Sequence, residues 1–292
     1  MHTSVLLNEA VDELKVSIGA KFIDATYGGG GHSREIAHRG GKVLAIDADQ
    51  DAVTRVSQND KENIRLVRGN FGDIGEIAGA NGFVPVNGIL FDLGLSSFEL
   101  SDAKRGFSFM LEGPLDMRFD QSSSLMQAGE LIDALNVDAL EKLFRDFGDE
   151  PYAGIIARKL KKLQGDQAYW AKANTVELAR VIESCVGRRG KLHPATKIFQ
   201  ALRMAVNDEL GVLKKGLESA IELLDEGGRV VVIAFHSGED RIVKNKFKEW
   251  SESNKGQICS LMTTPGADEL MVNPRARSAK MRVFEKEGRN EK

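Results

Sequence analysis

The chain has 292 residues, enough for two domains or for one large α/β domain. Hydrophobic residues make up 42% of it and charged residues 28%, which excludes an intrinsically disordered chain, a collagen-like repeat and a membrane bundle. Its two cysteines lie far apart, so the sequence indicates neither a disulfide framework nor a structural zinc site. Because no signal-like N-terminus and no apolar run of about 18 residues occurs, we expect a cytoplasmic protein without a membrane partner.

Charge is unevenly distributed along the chain, although the formal net charge is only −3. Residues 1–152 carry 14 basic and 25 acidic groups, residues 153–205 carry 11 and 3, and residues 241–292 carry 12 and 7. Two basic segments of this kind could form one surface for an anionic polymer, because phosphate contacts dominate nucleic-acid affinity. Solvated helix faces would have the same composition, so charge leaves both interpretations open.

Strand and helix signals alternate over the first 95 residues. Short apolar runs are separated by about 10 to 20 residues of helical pattern. This alternation predicts β-α-β units, a parallel sheet covered on both faces and right-handed crossovers. The predicted strands are Lys21–Ala25, Lys42–Asp47, Ile64–Val67 and Gly88–Asp92.

A helical insertion is predicted next. Strand signals are absent from Leu125 to Val186, where apolar residues recur at helical spacing. We therefore predict that residues 121–193 form an inserted helical domain, and that residues 1–120 and 194–292 form the sheet domain. Asn174 followed by Glu177 has the form of a helix N-cap with its capping-box partner.

The sheet is expected to resume after the insertion. One long helix is predicted over Ile198–Leu224, followed by an almost uninterrupted buried strand at Arg229–Ala234. A helix over Arg241–Trp250 and a last strand at Lys280–Phe284, with a loop between them, complete the predicted domain.

A glycine run follows the first predicted strand and opens a helix, which is the context that a nucleotide-binding loop requires. It comprises Gly28–Gly31 and is followed by His32. Glycines let the backbone approach a ligand closely, and the helix N-terminus supplies free N–H groups. Asp47 ends the second strand 16 residues after Gly31, close to the spacing of an acid that binds a cofactor ribose. These features fit NAD(H) and S-adenosylmethionine equally.

Polar and aromatic residues follow the later strands, at the edge where open α/β sheets bind ligands. Phe71 follows the third strand and could stack on an adenine. Asp92 ends the fourth strand, with the hydroxyls of Ser96 and Ser97 just beyond it, and His236 follows the fifth strand. Because His236 could serve as the proton donor or acceptor of an oxidoreductase, an NAD-linked enzyme remains open at this point.

A series of longer motifs runs through the sequence, and these motifs are His2–Leu7, the Gly-Gly-Gly-His loop, Asp92–Ser97, Arg105–Phe109, Gly113–Arg118, His193–Thr196, Phe235–Ser237 and Asn273–Ser278. With them the chain closely resembles the MraW/RsmH family over nearly its whole length. That family comprises bacterial S-adenosylmethionine-dependent methyltransferases acting on the N4 exocyclic amine of a cytidine in the decoding region of 16S ribosomal RNA. The resemblance implies a Rossmann-like class I methyltransferase sheet with an inserted helical domain. It also implies S-adenosylmethionine as cofactor and 16S rRNA in the small ribosomal subunit as partner.

The resemblance assigns cofactor roles to individual positions. Glu99 departs from the pattern, because some family members have glutamine there and a carboxylate cannot donate an amide N–H. The implied cofactor-binding residues are Gly30, Gly31, His32, Asp47, Phe71, Asp92 and Glu99.

Asp92 is also the first candidate for accepting a hydrogen bond from the reacting amine, and neither a covalent intermediate nor a metal site is expected. The candidates for contacts with RNA are Ser96, Ser97, Arg188, Arg189, Lys191, His193, Lys197, His236, Arg275 and Arg277. The sequence leaves open a homodimer. It also leaves open two other functions, an NAD-linked oxidoreductase and a ribosome assembly factor without catalysis.

Overall fold

The computed structural model describes residues 4–54, 62–165, 167–187 and 193–288. The chain divides into two compact units. The first unit comprises Met1–Leu95 together with Leu210–Lys292, and the second comprises Ser96–Glu209. Across the described ranges, no helix combines the length and the apolar character needed to span a membrane.

Seven strands and a larger number of helices form the described part of the chain. The strands are β1 Lys21–Asp24, β2 Lys42–Asp47, β3 Ile64–Arg68, β4 Val86–Asp92, β5 Leu224–Ala234, β6 Gly256–Thr263 and β7 Lys280–Lys286. The α-helices are α1 Leu7–Glu13, α2 Gly31–His38, α3 Gln50–Thr54, α4 Ile74–Ala80, α5 Ser97–Ser101, α6 Ala128–Ala134, α7 Val137–Gly148, α8 Ala153–Gln164, α9 Thr175–Val186, α10 Ala195–Val206, α11 Glu209–Leu223, α12 Ser237–Glu252 and α13 Ala267–Val272.

The strands form one sheet in the first unit, in the order β3-β2-β1-β4-β5-β7-β6. Strands β1 to β5 are parallel, whereas β7 runs antiparallel to both of its neighbours, β5 and β6. The usual dinucleotide-binding sheet has the order 3-2-1-4-5-6, without a strand between the fifth and the sixth. The observed topology confirms the expected α/β class with a mostly parallel central sheet.

The side chains on the two faces of the sheet belong to separate hydrophobic clusters, because successive residues of a strand point to opposite faces. Ile23 and Phe91 belong to one cluster, with Leu217 of α11. Their chain neighbours Phe22 and Leu90 belong to the other, which also contains residues of α1 and α2. Helices therefore cover both faces, which explains why these strands are almost continuously apolar.

The second unit contains α5 to α10 and the loops between them. Trp170 is fully buried in it, and its indole Nε1 donates to the carbonyl oxygen of Leu160 (3.2 Å). Pro114 and Asn174 form an isolated antiparallel bridge that joins the segment before α6 to the start of α9. The predicted insertion, residues 121–193, lies inside this unit. The unit extends further at both ends, because Pro114 is tied to α9 and α10 packs against α7.

The single helix predicted over Ile198–Leu224 is wrong, because α10 and α11 are separate helices. Asp208, between them, has a left-handed backbone with φ of 45°. The preceding Asn207 side chain donates to the carbonyl oxygens of Met117 (2.7 Å) and Arg203 (2.8 Å). These contacts hold the chain in a turn where apolar periodicity alone predicts a continuous helix.

Two further local features differ from expectation. Strand β6 occupies part of the predicted loop; it lies at the sheet edge, and two register shifts interrupt its pairing with β7, so its apolar alternation is weak. Asn174 caps α9 as predicted, with its Oδ1 accepting the Glu177 N–H (2.8 Å). The reciprocal half of that capping box is wrong, because the Glu177 carboxylate accepts from the Tyr169 hydroxyl instead.

Candidate cofactor site

The glycine loop is tied directly to Asp47. β1 ends at Asp24, and the chain then runs through Gly28 (φ 51°) and Gly30 (φ 73°) into α2. The backbone N–H of Gly28 donates to Asp47 Oδ2 (2.8 Å). The left-handed conformations favour glycine at both positions. The loop and the acid predicted to bind the ribose thus form one hydrogen-bonded unit.

Two of the glycines are required by the packing of the protein itself. A Cβ at Gly30 would lie 2.5 Å from the Tyr27 hydroxyl oxygen, and a Cβ at Gly31 would lie 2.1 Å from Ser4 Oγ. From the sequence alone, these glycines are expected to allow the close approach of a ligand. The structure adds an intramolecular reason, since Tyr27 and Ser4 occupy the space that side chains would need.

Asp47 is held in one orientation at the carboxyl end of β2. Its Oδ1 accepts the N–H of Asp49 (2.8 Å), while its Oδ2 accepts the N–H of Gly28 (2.8 Å). Each carboxylate oxygen has a second lone pair for a further hydrogen bond. The carboxylate therefore fits two vicinal hydroxyls such as those of a ribose.

Phe71 lies in a 3-10 turn immediately after β3. The turn is capped by Asn70, whose Oδ1 accepts the N–H of Gly72 (2.9 Å). The ring packs edge-on against Phe91 with centroids 5.7 Å apart, and it is only partly buried. Part of the ring thus belongs to the core, and the exposed part is accessible to a planar group.

Asp92 and His32 face each other where β4 ends and α2 begins. The distance between His32 Nδ1 and Asp92 Oδ2 is 3.5 Å. His32 Nε2 lies 3.1 Å from the carbonyl oxygen of Val5, which can only accept, so Nε2 carries the hydrogen. The backbone N–H of Asp92 donates to Thr26 Oγ1 (2.7 Å), which fixes the strand end against the glycine loop.

The second carboxyl oxygen of Asp92 is the strongest local sign of a ligand. Oδ1 is buried and has no hydrogen-bond partner among the described residues, although the side chain as a whole is 21% exposed. Burial raises the pKa of Asp92 well above its usual value, and the negative charges of Asp24, Glu239 and Glu269 raise it further. A buried acceptor left without a partner is costly unless a ligand supplies one. A cation or an N–H group fits this position.

Three acidic residues near Asp92 are not among the site residues predicted from the sequence, and they are Asp24, Glu239 and Glu269. Asp24 ends β1, is buried, and accepts hydrogen bonds from Ser33 Oγ (2.6 Å) and the Thr26 N–H (3.1 Å). Burial raises its pKa above the usual value. Glu269 accepts the Leu6 N–H (2.8 Å). Asp24 was detectable as the acid that ends β1, but Glu269 becomes a neighbour only through the packing of α13.

Ser96 and Glu99 form a capping box at the start of α5. Glu99 Oε2 accepts the Ser96 N–H (2.7 Å), Ser96 Oγ accepts the Glu99 N–H (3.3 Å), and Ser97 is the first residue of the helix. Glu99 is buried in this role. The predicted cofactor contact of Glu99 and the predicted RNA contacts of Ser96 and Ser97 stay predictions. In the structure, all three residues form the start of helix α5.

His236 forms the equivalent capping box at the start of α12. Its Nδ1 accepts the Glu239 N–H (3.3 Å), and Glu239 Oε2 accepts the backbone N–H groups of Phe235 (2.8 Å) and His236 (3.3 Å). Because Nδ1 is the acceptor, the neutral ring carries its hydrogen on Nε2, which lies 3.0 Å from Glu239 Oε1. His236 therefore has a structural role as the N-cap of α12. Its predicted contact with RNA stays a prediction.

The basic candidates occupy several places. His193 stacks on Phe109 with ring centroids 4.6 Å apart, and Lys197 Nζ donates to the carbonyl oxygen of Asp149 (2.7 Å) at the end of α7. Arg275 and Arg277 are exposed on the 3-10 turn Pro274–Ser278. The other three candidates, Arg188, Arg189 and Lys191, lie outside the described residues.

Residues 1–287 match the family model described as the MraW methylase family. The chain belongs to that family. Ribosomal RNA small subunit methyltransferase H of Thermomicrobium roseum is 44% identical to it, over 98% of this chain and 93% of that protein. The protein of the same name from Dehalococcoides mccartyi is 42% identical, over 98% of this chain and 86% of its own length. The relative from Methylococcus capsulatus is 41% identical, over 96% of this chain and 99% of its own length.

Membership confirms two predictions made from the sequence. The protein is a methyltransferase, and its cofactor is S-adenosylmethionine. The NAD-linked oxidoreductase and the assembly factor without catalysis receive no support. The geometry of the first unit fits this cofactor, because the Asp47 carboxylate is held in one orientation, as a ribose diol requires, and the buried Asp92 Oδ1 has no partner among the described residues, as a cationic ligand requires.

Proposed function

We propose that this methyltransferase transfers a methyl group to the N4 exocyclic amine of a cytidine in the decoding region of 16S rRNA, within the small ribosomal subunit. The family match over residues 1–287 carries the proposal, because relatives that align with nearly the whole chain are named ribosomal RNA small subunit methyltransferase H. Such a substrate implies a bacterial cytoplasmic enzyme. A homodimer is a separate expectation, which the molecular mass in solution would test.

The reaction is a direct displacement. S-Adenosylmethionine supplies an activated methyl group bound to a sulfonium. The bond between the amine nitrogen and the methyl carbon would form as the carbon–sulfur bond breaks with its electrons on sulfur, and the amine proton would pass to the Asp92 carboxylate or to water. The cytosine amine is a poor nucleophile because its lone pair is delocalised into the ring. Holding both partners in line can lower the barrier by roughly 7 to 11 kcal/mol.

Asp92 is the residue we place closest to this chemistry. Its ionised carboxylate would accept a hydrogen bond from an N–H group and would favour the positive charge that develops on the amine. Oδ1 is available for this bond, since Oδ2 faces His32. We also assign the cofactor contacts to Gly30, Gly31, His32, Asp47 and Phe71, which converge at the carboxyl ends of β1 to β4.

The RNA contacts proposed for the described residues combine positive charge with one stacked aromatic pair. His193 is stacked on Phe109 in the second unit, and Lys197 lies on the first turn of α10. Arg275 and Arg277 are exposed in the first unit. Since a base in structured RNA cannot reach an active site from within its stack, we expect the target cytidine to be flipped or already unpaired.

Transfer of labelled methyl from S-adenosylmethionine to small ribosomal subunits that lack the modification tests the proposal. Naked 16S rRNA serves as the parallel substrate, and nucleoside mass spectrometry identifies the product. We expect N4-methylated cytidine in the subunits and little label in naked RNA. Label on another atom or another nucleotide would contradict the proposed substrate, and binding of the cofactor without any transfer would contradict the proposed reaction.

A further inference from the structure

Helix α8 has an unusual charge composition for an exposed helix. Its twelve residues, Ala153–Gln164, include four basic side chains and no acidic one. One face is exposed and repeats at the i, i+3, i+4, i+7, i+8 spacing of a helical stripe. We call it the α8 face, and its residues are Ile155, Arg158, Lys159, Lys162 and Leu163. The opposite side is buried in the second unit through Ala153, Ile156, Ala157 and Leu160.

The cations of the α8 face repel one another. Arg158 and Lys162 are four residues apart, and Lys159 and Lys162 are three apart; like charges at both spacings destabilise a helix. None of the three side chains forms an ion pair or a hydrogen bond within the described ranges of the chain. The helix therefore retains an electrostatic cost, which the position of Lys162 in the last turn of the helix offsets only in part.

Lys161, the fourth basic residue of α8, has a structural role in the second unit. Lys161 Nζ donates to the carbonyl oxygens of Ile132 (3.2 Å) and Asp133 (3.0 Å) at the end of α6. It is partly buried, and burial lowers its pKa. Lys161 thus holds two helices together, whereas the cations of the α8 face make no comparable contact.

Several cations on other helices are paired with acidic side chains. Lys248 and Glu252 are 3.5 Å apart on α12, and Lys246 lies 3.0 Å from Glu249 on the same helix. On α7, next to α8 in the second unit, Arg145 pairs with Glu141. Other described helix cations, such as Lys142 of α7 and Lys244 of α12, form no ion pair among the described residues either. What distinguishes α8 is that its exposed face carries three neighbouring cations and that the helix has no acidic residue.

We propose that the α8 face binds the phosphate backbone of the RNA substrate. An anionic polymer removes the repulsion among the three cations and gains affinity by releasing its counterions. Ile155 and Leu163, 48% and 39% exposed, bracket the cations and offer apolar contact to ribose and base surfaces. The inference rests on the proposed RNA substrate and adds a contact surface to it. It concerns binding of the RNA backbone, so these residues position the substrate and do not take part in methyl transfer.

The test variant combines Arg158→Gln, Lys159→Gln and Lys162→Gln, which remove three charges and retain side-chain length and helix propensity. The matched control combines Lys246→Gln, Lys248→Gln and Lys255→Gln, which remove three charges that are paired in the first unit. Binding to small subunits that lack the modification is measured as a function of salt, together with KM for the subunits and the Kd of S-adenosylmethionine.

We expect the slope of log Kd against log salt to fall by about 2 in the test variant, from three phosphate contacts at roughly 0.7 each. We also expect KM for the subunits to rise, with kcat at saturating subunits and the Kd of S-adenosylmethionine unchanged. The melting temperature should stay the same or rise, because the substitutions remove like-charge pairs. The control should retain the wild-type slope.

A test variant with the slope and KM of the control would overturn the inference. So would a normal slope accompanied by lost binding to anionic vesicles or to an acidic protein, because the face would then serve another partner. Failure of the proposed function is distinguishable, since the wild-type protein itself would then form no N4-methylated cytidine in the subunits, whatever the salt dependence of the test variant.

Discussion

His32 Nδ1 and Asp92 Oδ2 lie 3.5 Å apart, and the Val5 carbonyl already holds the hydrogen of His32 Nε2. A hydrogen bond between these two atoms consequently needs exactly one proton, carried either by the imidazole or by the carboxyl group. Asp24, Glu239 and Glu269 add negative charge around the pair, which favours retention of that proton. The proposed binding of a cationic cofactor at Asp92 would therefore be linked to the protonation of this pair.

Affinity for S-adenosylmethionine should increase with pH. The pKa of Asp92 is raised well above its usual value, so the carboxyl group stays protonated at pH values where an ordinary aspartate is ionised. A cationic ligand prefers the ionised form, and binding should release a proton in the pH range between the usual and the raised pKa. Calorimetry in two buffers of different ionisation enthalpy measures that proton. In Asp92→Asn the release should disappear; the same release in that variant would assign it to another group.

The substitution Asp92→Asn should stabilise the protein while weakening cofactor binding. A carboxyl group whose folded pKa is raised contributes stability below its unfolded pKa and loses it as pH rises through the folded pKa. Asparagine has no charge to bury, and its amide can donate to His32 Nδ1. We expect a gain on the order of 1 kcal/mol at neutral pH, measured by urea unfolding. A loss of stability equal to the loss of cofactor affinity would contradict the prediction that Asp92→Asn stabilises the protein.

Gly31→Ala should be destabilising through one identifiable contact. Its Cβ would lie 2.1 Å from Ser4 Oγ and 3.1 Å from Ser4 Cβ. We expect a loss of about 1 to 3 kcal/mol, as for other overpacked positions. Adding Ser4→Ala removes the hydroxyl and should recover part of the loss, so that the double-mutant cycle shows a coupling energy. Strictly additive effects of the two substitutions would place the cause elsewhere.

Glu285 should contribute to stability against acid. Its carboxylate accepts hydrogen bonds from Lys15 (2.9 Å) and Arg229 (2.8 Å), and these two partners lower its pKa to about 2. A lowered folded pKa contributes stability that is present above the usual value of 4.5 and is lost as pH falls toward 2. Glu285→Gln should cost on the order of 1 to 3 kcal/mol at pH 7 and much less at pH 2. Unfolding curves across this range check the difference, which a purely steric effect would not produce.

The sequence by itself determined the fold class and the chemistry. Apolar runs ending at Asp47 and Asp92, with glycine-rich turns and helical spacing between them, specify strands and their carboxyl ends, because these patterns depend on local geometry. The same local logic located Asn174 as a helix cap. The ordered motifs from His2 to Ser278 added the family, which the match over residues 1–287 confirms.

Only the tertiary structure decided which side chains meet. The antiparallel insertion of β7 between β5 and β6, the break between α10 and α11, and the approach of His32 to Asp92 all depend on contacts between residues far apart in the chain. Asn207 ends a helix by bonding to Met117, 90 residues away. Periodicity cannot encode such pairs, since it records which face of an element is apolar and not which element will cover it.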